Sequence, residues 1–483
     1  MRFVLAAVCF LMSLNVAAGR TLQSPFEYWL TTETVKSVDS IMANIAPLGT
    51  PRGFVIASPS MNDPNYYFHW TRDAALTMWT MVDLEIGATD DLSRARYADK
   101  LDAYVGFTRQ IQQMDTMSGT VRDHFSNIGE PKFNTDGSGF TGEWGRPQAD
   151  GPALRVIAML KYMEAFATTM PKGLQDELRA AIDADLEYIV FCGQGTTYDI
   201  WEETKGHHFY TEMLQRRALL MGAEGARSRG QVTKGSNEQL YRNLALKLEQ
   251  SLVLHWDEAR GYLVETLGRD DGTNYKVSNL DSGVILASLH AAGPDGFYAP
   301  WDEHILATAV QLKETFRQLY PINRVRRDRH DNLVLGVAFG RYPEDRYDGA
   351  ANIGGNPWVL ITLAMAELDF RVARMIRDTG TVMITRLNAA FYQGVLGGAW
   401  QLQVGDKVDA GTAKFDALLK DLLDDGDAYL ARVRYHTPVS GELSEQVDRN
   451  AGTMTSAFDL TWSYAAFLTA IKAREAALSP SGR

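Results

Sequence analysis

Apolar residues along this chain recur at spacings of three and four far more often than at two. Met159, Leu160, Met163 and Phe166 form one such stripe, and Leu214, Ala218, Leu219 and Met221 a second. Tyr241, Leu244, Leu248 and Leu252 form a third, and Leu360, Leu363, Ala364 and Leu368 a fourth. An α-helix turns once in 3.6 residues, so each set gathers on a single face that must be buried. From Phe26 to Ala476, roughly a dozen segments read this way, joined by loops rich in Gly, Pro, Asn and Asp. Strand-type alternation is rare; the stretch from Gly261 to Glu265 is a short exception. No low-complexity linker divides the chain and no solenoid period repeats, so the pattern predicts one large all-α domain.

The first residues follow another pattern. Arg2 precedes an apolar run from Phe3 to Leu14, closed by Val16, Ala17, Ala18 and Gly19. This is the layout of a secretory signal cut near Ala18 or Gly19, and the run is too short to span a bilayer. The expected division is therefore a cleaved segment 1–19 and a single domain 20–483, secreted or periplasmic and monomeric, with no membrane association after cleavage. Cys9 lies in the signal, which leaves Cys192 alone and excludes an intrachain disulfide. Its neighbours Tyr188, Ile189, Val190 and Phe191 suit a small buried hydrophobe better than a nucleophile. At 45% hydrophobic and 22% charged residues the composition is that of a globular protein with a sizeable core. The formal net charge of −12, without a basic stripe, makes nucleic acid a poor partner.

Unusual residues collect in the loops just before helices. Asn65 to Asp73, with Tyr66, Tyr67, His69, Trp70 and Arg72, precedes Ala74-Ala75-Leu76. Gly145 to Pro152 precedes the stripe at Met159, and Tyr198 to Glu203 precedes the one at Leu214. Gly355-Asn356-Pro357-Trp358 supplies a cap residue and a proline at the first helical position before Leu360, and Ser456 to Asp459 reads as a capping box. Capping accounts for Asn356 and Ser456. It leaves unexplained why Trp, Tyr and carboxylates are so dense here, and a shared rim at several helix N-termini would explain that.

In Trp201-Glu202-Glu203 two adjacent carboxylates repel, and Ile200 and Trp201 can supply an apolar wall that keeps one of them protonated. A glycosidase needs such a group to protonate its leaving oxygen. Glu445 lies in a polar loop with no lysine close by in sequence, where a carboxylate could activate water. Tyr66, Tyr67, Trp70, Trp144, Trp201, Trp358 and Trp462 fall in or beside the rim loops. Sugars present apolar faces and polar edges, which suits flat aromatics beside the bidentate groups of Arg72, Asp73 and Arg341. Other chemistries find less support. His207 and His208 are adjacent rather than at metal-ligand spacing, and no dinucleotide loop, Walker sequence or Gly-x-Ser-x-Gly elbow occurs.

These loops resemble the glucoamylases of glycoside hydrolase family fifteen, through nearly the whole length after the signal. The resemblance is carried by Ser58-Pro59-Ser60 through Asp73; Thr141 to Gln148 with Pro152 to Arg155; Asp199 to Glu203; Gly340 to Asp345; Gly355 to Trp358; and Leu443 to Gln446 with Asp459 to Tyr464. The resemblance implies an (α/α)6 barrel with its pocket at helix N-termini. It implies that Glu202 is the general acid and Glu445 the general base of an inverting reaction. It further implies that Arg72 and Asp73 hold the terminal glucose, that Arg341, Glu203, Trp144 and Trp201 add sugar contacts, that Tyr66 is a platform at the cleavage point, and that Trp462 is a pocket wall. The implied substrates are soluble starch, dextrin or maltooligosaccharides, cut from their ends, without metal or organic cofactor. No Ser/Thr-rich linker with a starch-binding module follows Trp462, so weak action on raw granules is expected. Lys205, His207 and His208 beside the acid block, and His69 beside the binding loop, depart from the family pattern. Relatives specific for trehalose or α-1,6 dextran links, and a catalytically inactive glucan-binding protein, are the competing readings. Retention of Glu202, Glu445, Arg72 and Asp73 weighs against the last, because binding alone needs no acid and base.

Overall fold

The computed structural model describes residues 24–228, 237–398 and 400–480; the expected signal segment lies outside them. Thirteen α-helices are found among the described residues. They are α1 (Pro25–Asn44), α2 (Thr71–Gly87), α3 (Asp91–Gln112), α4 (Asp150–Phe166), α5 (Lys172–Phe191), α6 (Phe209–Ser228), α7 (Asn237–Leu252), α8 (Gly283–Ala291), α9 (Glu303–Leu319), α10 (Val359–Thr379), α11 (Ala389–Leu396), α12 (Ala413–His436) and α13 (Thr461–Leu478). Helices α2, α4, α6, α8, α10 and α13 pack in that order, and α13 closes onto α2. Each has one principal outer partner: α3, α5, α7, α9, α12 and α1 respectively. This double ring is the expected (α/α)6 barrel. All four sequence stripes lie on helices, three of them inner (α4, α6 and α10) and one, Tyr241 to Leu252, outer (α7).

Burial follows the ring position. Inner helix α10 is buried almost all round, from Val359 through Phe370, whereas outer helix α7 buries only Glu238, Tyr241, Ala245, Leu248 and Leu252. A helix enclosed on every side is apolar all round, and one at the surface carries a stripe.

The helix starts differ in the same way. Side-chain caps occur on α1 (Ser24), α3 (Asp90), α9 (Asp302) and α12 (Thr412), which are all outer helices. The starts of α2, α4, α10 and α13 have none. Their first amides are taken by the loops instead: Thr71 N–H by the Pro131 carbonyl at 2.9 Å, Val359 N–H by Glu445 at 3.1 Å and Thr461 N–H by Ala57 at 2.9 Å. The two caps expected at the rim are therefore corrected. Helix α10 begins after Trp358, and the Asn356 amide donates to Gln446 instead (3.0 Å). Helix α13 begins at Thr461, and the Ser456 hydroxyl donates to Glu445.

Short antiparallel pairs fix the rim loops. His69–Trp70 pairs with Lys132–Phe133, placing Trp70 opposite Lys132. Thr197–Tyr198, Thr204–His208 and Thr266–Gly272 form a three-stranded sheet whose first hairpin carries residues 199–203. Gln446–Val447 pairs with Met454–Thr455, so Glu445 and Ser456 flank one hairpin. The expected strand at Gly261–Glu265 is reduced to Tyr262–Leu263, paired with Trp256–Asp257.

Candidate active site

A cavity of about 720 Å³ opens where the inner helices begin. All ten site residues named from the sequence line it: Tyr66, Arg72, Asp73, Trp144, Trp201, Glu202, Glu203, Arg341, Glu445 and Trp462. They come from loops and first helical turns spread over nearly four hundred positions. Closure of the barrel brings them together, since Arg72 and Asp73 sit in the first turn of α2 and Trp462 in that of α13. The helix N-termini there favour carboxylates.

The adjacent Glu202 and Glu203 take separate partners. Glu202 stands at φ +68°, a left-handed conformation that a non-glycine residue adopts at a cost. It accepts from Arg72 at 2.7 Å and from the Trp144 indole. Glu203 accepts from Arg341 at 2.8 Å and from the Tyr342 hydroxyl, and burial raises its pKa against the opposing pull of Arg341. Two glycines permit the turn. A Cβ on Gly145 would stand 2.7 Å from the Tyr198 ring and 2.9 Å from the Glu202 carbonyl; one on Gly272, itself at φ +86°, would stand 2.1 Å from the Glu203 carbonyl.

Glu445 is buried on the same cavity. Its carboxylate accepts from Gln446 at 2.9 Å and from Ser456. Burial pushes its pKa up to about 7, although the hydrogen bonds from Ser456 and Tyr66 and the charge of Arg341 pull the other way. Tyr66 and Tyr347 share a hydroxyl–hydroxyl bond of 2.8 Å beside it.

Arg72 also donates to Gln148 and Asp150, both at 3.2 Å, and its guanidinium lies 5.7 Å from the Trp462 ring. Its Nε is 3.4 Å from Asp73 Oδ2, an ion pair without a hydrogen bond. Burial raises Asp73 to about 6, against the pull of Arg72. Arg341 is held by Asp345 (2.6 and 2.8 Å) and is ringed by Trp201, Tyr342, Tyr347 and Trp358 at 5.2–5.6 Å. Four buried polar atoms on this wall lack a hydrogen-bond partner: Asp73 Oδ2, Arg72 Nε, Trp70 Nε1 and Trp358 Nε1. One acceptor and three donors set among aromatic faces match a ligand that carries hydroxyls around an apolar ring.

Several lining residues were not singled out from the sequence. Lys132 is buried with its ammonium 3.7–4.5 Å from the rings of Phe68, Trp70, Phe140 and Trp144, and burial lowers its pKa to about 8. Tyr347, only two positions beyond the Gly340–Asp345 block, could have been found by extending it. Nothing local marks Lys132, which reaches the site through its strand pairing with Trp70. Conversely, Tyr67 is not on this cavity. His69 is buried with its Nδ1 accepting from Val55 N–H (3.1 Å), packed against Phe54, Phe107 and Phe133. His208 is bonded to the Thr197 carbonyl (2.8 Å) and Thr266, and His207 is 3.5 Å from Glu212. None of these three histidines lines the cavity.

The chain is similar to known proteins along most of its length. The chain is 35% identical over 461 residues to glucoamylase 1 of Rhizopus oryzae, covering 95% of this chain and 72% of that one. It is 35% identical over 444 residues to a glucoamylase of Blastobotrys adeninivorans, covering 89% and 69%. The solved glucoamylase of Saccharomycopsis fibuligera superposes with a TM-score of 0.84 at 28% identity, covering 95% of this chain and 97% of that one. The family 15 glucoamylase of Hypocrea jecorina gives 0.83 at 32% identity, covering 94% and 73%. The family pattern of Glycosyl hydrolases family 15 matches residues 36–472, and the chain belongs to that family of enzymes.

Proposed function

We propose that this enzyme is an exo-acting, inverting α-glucoside hydrolase. It releases β-D-glucose from the non-reducing ends of α-1,4-glucans and maltooligosaccharides and cuts α-1,6 links more slowly. The observation that carries this reading is a single cavity lined by Glu202, Glu445 and unsatisfied polar atoms among aromatic faces.

In the proposed reaction the terminal glucose satisfies Asp73 Oδ2 and Arg72 Nε with its outer hydroxyls. Glu202 gives its proton to the glycosidic oxygen as the bond from that oxygen to C1 breaks. Glu445 takes a proton from water, and the hydroxide character so generated attacks C1 from the opposite face. The products are an alcohol at the departing chain and glucose with inverted configuration. Inverting pairs need about 6.5–9.5 Å between carboxyls to admit the water.

In the free site Arg72 pairs with Glu202, and burial raises the pKa of Glu445 to about 7. Water seated against Glu445 in the sugar complex rehydrates it and lowers that value. The acidic limb of kcat, which reports the complex, is therefore expected at lower pH than that of kcat/KM, which reports the free enzyme. Coincident limbs across a pH series would contradict the rehydration.

Proton NMR of products from maltoheptaose, with trehalose and isomaltose as comparators, tests the whole reading. The expected result is glucose appearing first as the β anomer, with maltoheptaose preferred. Internal oligosaccharides, α-glucose or a preference for trehalose would overturn it. Glu202→Gln and Glu445→Gln should each lower turnover at least ~100-fold, the scale of a lost acid or base.

A further inference from the structure

Beneath the acid turn lies a charge cluster that never touches the cavity. Lys276 arrives on the loop between strand Thr266–Gly272 and α8, and its side chain is fully buried. Its ammonium is 3.2 Å from Asp199 Oδ2 and 2.5 Å from Asp281 Oδ2, and 4.5 Å from the Tyr342 ring. Each of these three neighbours grips the turn. Asp199 Oδ1 accepts the backbone N–H groups of Glu203 (2.8 Å) and Thr204 (3.1 Å). Asp281 accepts the Trp201 indole N–H on both oxygens, at 2.9 and 3.1 Å. The Tyr342 hydroxyl donates to Glu203.

We propose that Lys276 is a positioning residue for the reaction, the buried cation that keeps Asp199 and Asp281 ionised and thereby locks Trp201, Glu202 and Glu203 in place. The inference rests on the acid role given to Glu202 above. The physical reason is that Glu202 sits at positive φ and relaxes unless its neighbours hold it. A buried carboxylate holds two or three donors far more strongly while charged, and it stays charged in a dry site only with a cation beside it. Nothing else nearby can replace Lys276. Glu265 adds a third carboxyl to the cluster and is driven toward its neutral form by burial and by Asp281, and the buried His208 is likewise driven toward neutrality. Arg341 is already engaged by Asp345 and Glu203.

The test compares Lys276→Met, Lys276→Arg and the pair Lys276→Met/Asp281→Asn. In Lys276→Met the peptide carrying residues 199–204 is expected to exchange its amide hydrogens at least tenfold faster than wild type, while the helices keep their rates. Turnover of maltoheptaose should fall about 100-fold, the scale of an ångström-sized misplacement, with KM changed far less. The deficit should shrink toward acid pH, where Asp199 and Asp281 of the wild type also protonate and loosen their grip on the turn. Lys276→Arg should recover turnover and slow the exchange, whereas the double variant, which leaves Asp199 without its cation, should not. A Lys276→Met turn that exchanges at the wild-type rate overturns the proposal. So does a turnover loss that equals the unfolded fraction at every pH. Full activity in Glu202→Gln would remove the acid assignment and leave the exchange result to judge the clamp by itself.

Discussion

Glu445 shows how one side chain balances burial against its donors. Burial raises its pKa, and Ser456, Tyr66 and Gln446 each stabilise the charged form. Removing one donor must shift the balance upward. Ser456→Ala is therefore expected to move the acidic limb of kcat/KM to higher pH, because a base that binds its proton more tightly is lost at a higher pH as the solution is acidified. A limb that stays put in a pH series would separate Glu445 from that limb. Asp73 is a different case, because it lines the cavity and its Oδ2, ion-paired with Arg72, has no hydrogen-bond partner. Asp73→Ala should lower kcat/KM on maltoheptaose by one to two orders of magnitude, since a buried charged hydrogen bond to substrate is worth roughly 1.5–3 kcal/mol. An unchanged kcat/KM would exclude it from the glucose subsite. At this scale the sequence named residues well when several unusual types stood in one short block, as in Trp201-Glu202-Glu203. It missed Lys132 and gave Ser456 to a helix cap, because each reaches the site through a partner strand that no local pattern announces.

The elements divide their work between two rings. Four of the outer helices, α1, α3, α9 and α12, start on their own side-chain caps and can be read one at a time. Inner helices start on carbonyls of neighbouring loops, which ties the rim of the cavity to the framework of the barrel. Thr412 caps α12 by accepting from Phe415 N–H at 3.2 Å, far in sequence from every cavity residue but those near Glu445. Thr412→Ala is expected to cost about 1 kcal/mol of stability, the usual worth of a lost cap, without altering kcat. Chemical denaturation and initial rates would check both halves. The amphipathic spacing of α4, α7 and α10 was legible because 3.6-residue periodicity is local. The helix starts at Trp358 and Leu460 were not, since they depend on where another loop places a carbonyl.

Across the whole molecule the inner ring encloses one axis with a cavity at each end. Trp462 lines both the front cavity and a second of about 500 Å³ reached from the other end. Burial also drives several histidines toward their neutral form. His69, packed among Phe54, Phe107 and Phe133, is the clearest, lowered by burial and by Arg155 from 6.5 to about 3. Below pH 6.5 the unfolded chain binds a proton there that the folded chain refuses, so this site's contribution to stability declines as pH falls toward 3. The stability gap between wild type and His69→Gln, which keeps a hydrogen-bond acceptor for Val55, is expected to narrow by about 1.4 kcal/mol per pH unit below 6.5. Denaturant midpoints measured at several pH values would show a constant gap if His69 does not titrate this way. Among the described residues no helix is long and apolar enough to cross a membrane.

The amino-acid order by itself determined the all-helical class, the approximate number of helices and the ten residues that share the cavity. Those properties reside in periodicity and in short blocks, which a chain carries wherever it folds. Only the closed barrel decided that Glu202 pairs with Arg72 while Glu203 turns to Arg341, that Ser456 serves Glu445, and that Lys276 lies under the turn at residues 201–203. Charge balance and hydrogen bonding act over a few ångströms, and residues separated by tens to hundreds of positions come that close only when the inner helices complete their ring.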